Sequence, residues 1–178
     1  MVIFSYIIIA ILSIIAILLV VATFVKKTYA VQREVVISKN VAEVFDYVKH
    51  LKNQTRFSAW AQMDTNMKQE FIGTDGEVGF TYKWDGNKKV GQGVQKITAV
   101  QEGEFIEFEI HFIKPFEGFA VSKMQTVAIG DAQTRVTWSL KSAMKYPMNL
   151  MLLFMDMDKM IGKDFEIGLD NLKKELST

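Results

Sequence analysis

Residues 155–172, MDMDKMIGKDFEIGLDNL, concentrate four aspartates and three methionines in one short stretch. These carboxylates could hold a metal ion, act as a general acid/base pair, or form the solvated face of a helix. On a helix with about 100° per residue, Asp156 and Asp158 project about 200° apart and cannot bind one ion. An EF-hand loop would need a further Asx residue and a Gly where this chain has Met160 and Ile161. The sequence therefore predicts no metal site here.

Asp158 differs from the other acidic residues because it lies close to the apolar stripe of the same helix. Its direction is about 40° from the centre of that stripe, so the carboxylate could face the interior or its rim. A buried carboxylate must be paired, hydrogen-bonded or protonated, which would suit a general acid/base or an anchor for a polar group of a ligand. The alternative is an edge position at which Asp158 pairs with a nearby cation. The predicted stripe itself consists of Phe154, Met157, Ile161, Phe165, Leu169, Leu172 and Leu176.

The N-terminus predicts a membrane anchor. Residues 2–25 contain no charged residue, no Gly and no Pro, and as a helix they would extend about 36 Å, enough to cross a hydrocarbon core of about 30 Å. No basic residue precedes the run, which argues against a cleaved signal peptide. Lys26 and Lys27 follow directly, so the positive-inside rule predicts a single-pass protein with its soluble part in the cytoplasm.

Composition limits the remaining possibilities. Residues 1–29 are interpreted as anchor and short linker, and residues 30–178 have the length of one domain. The chain has no Cys, which excludes disulfides, thiolate nucleophiles and Cys-ligated zinc. A net charge of +1 without a basic, aromatic-rich run argues against nucleic acid as a partner. Because phosphate-binding, dinucleotide and HExxH motifs are missing from the sequence, we expect no cofactor; the sequence indicates no particular protein partner.

The hydrophobic pattern predicts the order strand, helices, many strands, long helix. Alternation indicates a strand over 31–37, and Asn40 with Glu43 resembles a capping box for a helix over 41–50. A second short helical piece should carry Phe57 and Trp60. Residues 68–142 show alternating runs separated by hairpin signals, which is typical of an antiparallel meander. Pro147 is expected as the first residue of a final helix that ends near Leu176.

The same alternation predicts which strand residues face the core. Three groups should point inward, and the final helix should cover them: Phe80, Tyr82 and Trp84; Ile106, Phe108, Ile110 and Phe112; Val136, Trp138 and Leu140. Gly162 and Gly168 interrupt that helix, which indicates either close approach to the sheet or room for a cavity.

With this element order, residues 31–176 resemble the START-like, helix-grip superfamily called SRPBCC, which includes polyketide cyclases and lipid-transfer domains. The resemblance is carried by REVVISKNVAEVFDYVKHLKNQTRFSAWAQMD, GEVGFTYKWDGNKKVGQG, TRVTWSL and MDMDKMIGKDFEIGLDNLK. These segments are similar to a bacterial cyclase/dehydrase-like subgroup, which implies a bacterial-type inner (cytoplasmic) membrane for the anchor. It implies an α+β fold in which a seven-stranded antiparallel sheet wraps around the C-terminal helix, with an apolar cavity between them. It does not imply one reaction, because members include lipid, sterol, polyketide and hormone binders as well as cyclases and dehydratases.

Three functional hypotheses follow. The first is a membrane-tethered module that binds a lipid-like or other hydrophobic small molecule in the cavity. The second is a cyclase or dehydratase with Asp158 as acid/base and Tyr82 as a possible donor. The third is an interaction module whose interior is filled by its own side chains. For the first, the predicted lining residues are Trp60, Phe80, Tyr82, Trp84, Phe108, Ile110, Trp138, Met157, Ile161 and Phe165.

Overall fold

In the computed structural model, which describes residues 2–177, the chain begins with a long apolar helix, α1 (Val2–Phe24). By its length and composition, Ile3–Phe24 could cross a membrane. Within residues 3–24 every side chain is exposed except Ala22, which is buried. This helix therefore presents an apolar surface on nearly all sides.

A seven-stranded antiparallel sheet follows, with the strand order β1-β7-β6-β5-β4-β3-β2. The first strand in the chain pairs with the last, so the sheet runs from the residues next to α1 to the β2 edge. The strands are β1 (Thr28–Ile37), β2 (Lys68–Ile72), β3 (Thr81–Asp85), β4 (Gln92–Gln101), β5 (Phe105–Lys114), β6 (Gly118–Gly130) and β7 (Gln133–Ala143). This arrangement confirms the predicted seven-stranded antiparallel sheet.

Short helices connect β1 to β2, namely α2 (Val41–Val48), α3 (Leu51–Phe57) and α4 (Ala59–Gln62). The predicted cap of α2 is confirmed, because the side chain of Asn40 accepts a hydrogen bond from the backbone N–H of Glu43. The helix predicted over 41–50 ends at Val48, and the second helical piece, predicted to carry Phe57 and Trp60, divides into α3 and α4. Asp75, from the loop after β2, accepts hydrogen bonds from the N–H groups of Leu51 and Lys52 and so satisfies the first turn of α3.

The C-terminal helix, α5 (Met157–Ser177), covers one face of the sheet and packs along β1. We call this covered face the inner face; it carries Val31 of β1, Phe108 of β5 and Trp138 of β7, which are all buried. Both helix glycines lie where the helix approaches the sheet closely: a Cβ on Gly168 would lie 2.9 Å from the Trp138 ring, and one on Gly162 would overlap the Arg33 guanidinium. The structure thus has the helix-grip architecture that the sequence predicted.

The predicted start of the final helix at Pro147 is wrong. Residues Met148–Leu153 form a separate 3₁₀ helix, and α5 begins nine residues later than that 3₁₀ helix does. The physical reason is a helix cap: the Asp156 side chain accepts a hydrogen bond from the N–H of Lys159 at 3.0 Å and starts α5 anew. Phe154 therefore lies outside α5 and is 84% exposed instead of belonging to the covering stripe.

Gly93 allows the Trp84 ring to lie against the inner face of β4. A Cβ at this position would overlap the Trp84 ring and lie 2.7 Å from the carbonyl oxygen of His111. We expect Gly93→Ala to lower the free energy of unfolding by about 1–3 kcal/mol because of overpacking. Gly130→Ala is the matched control, since its Cβ would contact no atom within 4 Å, and it should change stability by less than about 0.5 kcal/mol.

Urea denaturation of the full chain in detergent, followed by tryptophan fluorescence, measures both variants. Equal midpoints for Gly93→Ala and Gly130→Ala would contradict the close packing of Trp84 on β4.

Candidate functional site

Burial of the inner face changes along the strands. One row of laterally paired residues is closed from solvent throughout: Val31, Leu140, Ser122, Phe108 and Ile97. The next row towards α1 contains Tyr29, Ser142, Ala120 and Ile110, and here Tyr29 and Ile110 are only half-buried. The small side chains of Ala120 and Ser142 lie between them. The interior is therefore closed in the middle and accessible at the end of the sheet nearest α1.

Six of the predicted lining residues lie in the buried core: Phe80, Tyr82, Trp84, Phe108, Trp138 and Phe165. Several of these rings contact one another. The Trp138 and Phe165 rings stack with centroids 4.4 Å apart, and Tyr82 stacks on Trp84 at 5.8 Å. These side chains thus contribute to packing, whatever further role they have in binding.

The other four predicted lining residues are more accessible. Ile110, Met157 and Ile161 are half-buried, and Trp60 on α4 is 39% exposed. Ile110 and Ile161 also pack against the core cluster. Together with Tyr29, they place accessible apolar surface at the α1 side of the interior. Their role in ligand binding remains a prediction.

A groove of about 1000 Å³ adjoins this accessible end. It lies between the end of α1, the start of β1 and the chain before α5, and is lined by residues of the segments 21–30 and 152–158; we call it the junction groove. Tyr29 and Met157 both line it. Because Tyr29 also packs against the core cluster, the groove meets the interior of the domain at this residue.

Asp158 faces a cation of β1. Its two carboxylate oxygens accept hydrogen bonds from Arg33 at 3.0 and 3.1 Å, and the Arg33 Nε donates to Glu166 at 2.6 Å. The hydrogen bond from Arg33 lowers the pKa of Asp158. The Asp158 side chain is 61% exposed, so the carboxylate lies at the helix edge and forms the cation pair that was the alternative interpretation. Gly162 provides the space for the Arg33 guanidinium beneath α5.

Tyr82 has a different environment. Its hydroxyl lies 3.9 Å from the sulfur of Met67, and burial raises its pKa to about 12. Asp158 lies over β1 at one edge of the sheet, whereas Tyr82 belongs to β3, next to the opposite edge. The structure gives the two groups separate surroundings, and their joint role as acid/base and donor remains a prediction.

Sequence reasoning missed the partner of Asp158 and the junction groove. The sequence did contain an indication that Arg33 needs a partner in the interior. Arg33 occupies an inward position between Val31 and Val35 in the alternating pattern of β1. A cation there requires an anionic partner.

Among residues 2–177, no group of three His, Asp or Glu side chains is arranged to hold a metal ion.

The sequence matches a known protein family, and the fold is similar to several solved structures. The family model described as "Polyketide cyclase / dehydrase and lipid transport" matches residues 28–177. No protein of curated function matches the sequence significantly.

Solved structures with a similar fold include norcoclaurine synthase from Thalictrum flavum, determined with dopamine and hydroxybenzaldehyde. It is 12% identical, with 88% of this chain and 91% of that chain covered and a TM-score of 0.66. A protein from Nitrosospira multiformis is 16% identical over 83% and 96% of the two chains, with a TM-score of 0.58. Ara h 8.0201 is 11% identical over 84% and 98%, with a TM-score of 0.56. At these identities the similarity establishes the fold alone.

The Asp158–Arg33 pair predicts a specific pH dependence. Because the pKa of Asp158 is lowered in the folded state, the pair stabilises the fold above the pKa of the unfolded chain, about 3.9. That stabilisation disappears as the pH falls through the lower, folded value. We expect Asp158→Asn to be less stable than the parent protein at neutral pH, and the difference to vanish in acid.

Denaturation midpoints between pH 7 and pH 2 measure this effect. Asp170→Asn, at an exposed position of the same helix, is the matched control and should show a smaller difference at neutral pH. A constant difference between Asp158→Asn and the parent across the range would contradict the ion pair.

Proposed function

Because the chain belongs to the polyketide cyclase/dehydrase and lipid transport family, we propose that it is a membrane-tethered module that binds a lipid-like or other hydrophobic small molecule. The binding site lies between the sheet and α5, at the end nearest α1. The observation that carries this proposal is the partial burial of Tyr29 and Ile110 on the inner face and of Ile161 on α5, beside a groove that reaches the end of α1.

The membrane tether is supported by the exposure of α1. Its isoleucine, leucine and valine side chains present an apolar surface far larger than a soluble monomer normally exposes. Burial of one such side chain is worth about 1.5–3 kcal/mol, so insertion of the whole helix into a bilayer is strongly favoured over exposure to water. Lys26 and Lys27 then lie at the membrane surface and favour a cytoplasmic position for the domain.

The hydrophobic class of ligand is supported by the accessible residues themselves. Ile110, Ile161, Met157 and Tyr29 offer aliphatic and aromatic surface, and Ala120 and Ser142 leave space between the larger side chains. Pockets of this composition favour apolar ligands, with orientation supplied by a few polar groups. Flexible methionine side chains also adapt to ligands of different shape.

A membrane tether favours the binding of an apolar ligand. Apolar ligands concentrate in the bilayer, and α1 holds the accessible end of the domain close to that reservoir. The effective ligand concentration at the site rises without any additional contact. This geometry suits a protein that takes its ligand from the membrane or delivers it there.

Native mass spectrometry of the full chain, released from detergent micelles, tests the proposal. We expect a stoichiometric hydrophobic molecule to remain bound to the parent protein. Ile110→Trp fills the half-buried inner face and should reduce the bound fraction. Ile113→Trp makes the same change at an exposed position on the outer face of the same strand, and it should leave the bound fraction unchanged.

Near-UV circular dichroism of each variant shows whether the fold is retained. An empty parent protein, or equal retention by folded Ile110→Trp and Ile113→Trp, would contradict the proposed site.

A further inference from the structure

The chain between β7 and α5 contains an uncharged apolar segment. Residues 146–155, YPMNLMLLFM, lie between Lys145 and Asp156 and contain no charged side chain. The 3₁₀ helix Met148–Leu153 forms their centre. We call residues 146–155 the docking segment.

Hydrogen bonds hold the docking segment against the last turns of α1. The buried Asn149 side chain donates to the carbonyl oxygens of Ala22 at 2.7 Å and Val25 at 3.0 Å, and the Tyr146 hydroxyl donates to that of Leu19 at 3.3 Å. Carbonyl groups at a helix C-terminus have no partner within the helix, and Asn149 supplies one. Ala22 is fully buried at this contact because its small side chain permits close approach.

These contacts place the docking segment beside the last turns of the helix that could cross a membrane. The bonded carbonyls of Leu19 and Ala22 are about 4.5 Å apart along the helix axis, and that of Val25 directly follows α1. The docking segment therefore contacts the apolar part of the chain that precedes Lys26, the first charged residue after the helix.

Three large apolar side chains of the docking segment are exposed. Phe154 is 84% exposed, Leu153 56% and Met148 46%. Leu153 and Phe154 also line the junction groove together with Val21 and Phe24 of α1. One continuous apolar surface thus extends from α1 across the groove to the docking segment.

The backbone of the segment is suited to a medium without water. Hydrogen bonds join the N–H of Leu150 to the carbonyl of Pro147, and the N–H groups of Phe154 and Met155 to the carbonyl of Met151. Internal pairing of this kind is what a chain segment in contact with lipid requires.

We propose that the docking segment is a second membrane contact, inserted into the leaflet on the domain side, and that acyl chains of this leaflet fill the junction groove. This inference rests on the proposed membrane tether, since the depth of the segment is set by its attachment to α1. The charged residues Lys145 and Asp156 mark the limits of the inserted region, and both remain at the headgroup level. The site between sheet and α5 then opens towards lipid instead of water.

Site-directed spin labelling of the full chain tests this contact, and the absence of native Cys allows one label at a chosen position. Phe154→Cys, Ile14→Cys and Ile167→Cys are each labelled with a nitroxide and reconstituted into phosphatidylcholine–phosphatidylglycerol vesicles. Collisions with oxygen, which concentrates among acyl chains, are compared with collisions with a water-soluble nickel chelate. We expect the Phe154 label to favour oxygen, as the Ile14 label in the middle of α1 does.

Ile167, 41% exposed on α5, is the matched apolar control and should favour the nickel chelate. If the Ile14 label reports lipid and the Phe154 label reports water, the second contact is overturned while the tether stands. If the Ile14 label reports water, the tether is overturned together with the contact. A lipid signal at Ile167 equal to that at Phe154 would overturn the assignment of the contact to the docking segment.

Discussion

The packing of Trp138 fixes how the C-terminal helix lies on the sheet. Its ring stacks on Phe165 of α5, meets Phe57 of α3 edge-on with centroids 5.9 Å apart, and donates its indole N–H to Ser122 of β6 at 3.0 Å. Gly168 lets α5 approach this ring without a clash. Because one side chain joins the sheet to two helices, α5 is held over β1 and β7. The inner face near Ile110 and Tyr29 is left partly open, and the candidate site depends on this placement.

Local patterns were sufficient to predict most of the fold. Alternation assigned Phe80, Tyr82 and Trp84 to the inner face, where all three are buried, and the SRPBCC resemblance is confirmed by the family match over residues 28–177 and by the helix-grip architecture. The start of α5 was not predictable from periodicity, since the apolar residues before Phe154 fit a continuous α-helix as well as a separate 3₁₀ turn. The interruption is set by the Asp156 cap, a local interaction that hydrophobic periodicity does not report.

The candidate site was less predictable because its decisive features are tertiary. Asp158 and Arg33 are 125 residues apart in the sequence, so a helical wheel could place the carboxylate near the stripe but could not identify its partner. Alternation likewise shows that Trp138 points inward, but not that Phe165 covers its ring and fills the neighbouring space. The junction groove depends on the docking of residues 146–155 against α1, a contact that carries no periodic signal.

The proposals for the tether, the ligand site and the docking segment share one requirement, which is that the interior of the domain opens towards the bilayer through the junction groove. This opening can be probed by photo-crosslinking of the full chain in vesicles that contain a phospholipid with a diazirine in its acyl chain, with the modified residues located by mass spectrometry. We expect crosslinks to α1, to residues 152–158 and to Tyr29 at the inner end of the groove. Crosslinks confined to α1 would contradict this opening, because they would show that α1 alone contacts lipid.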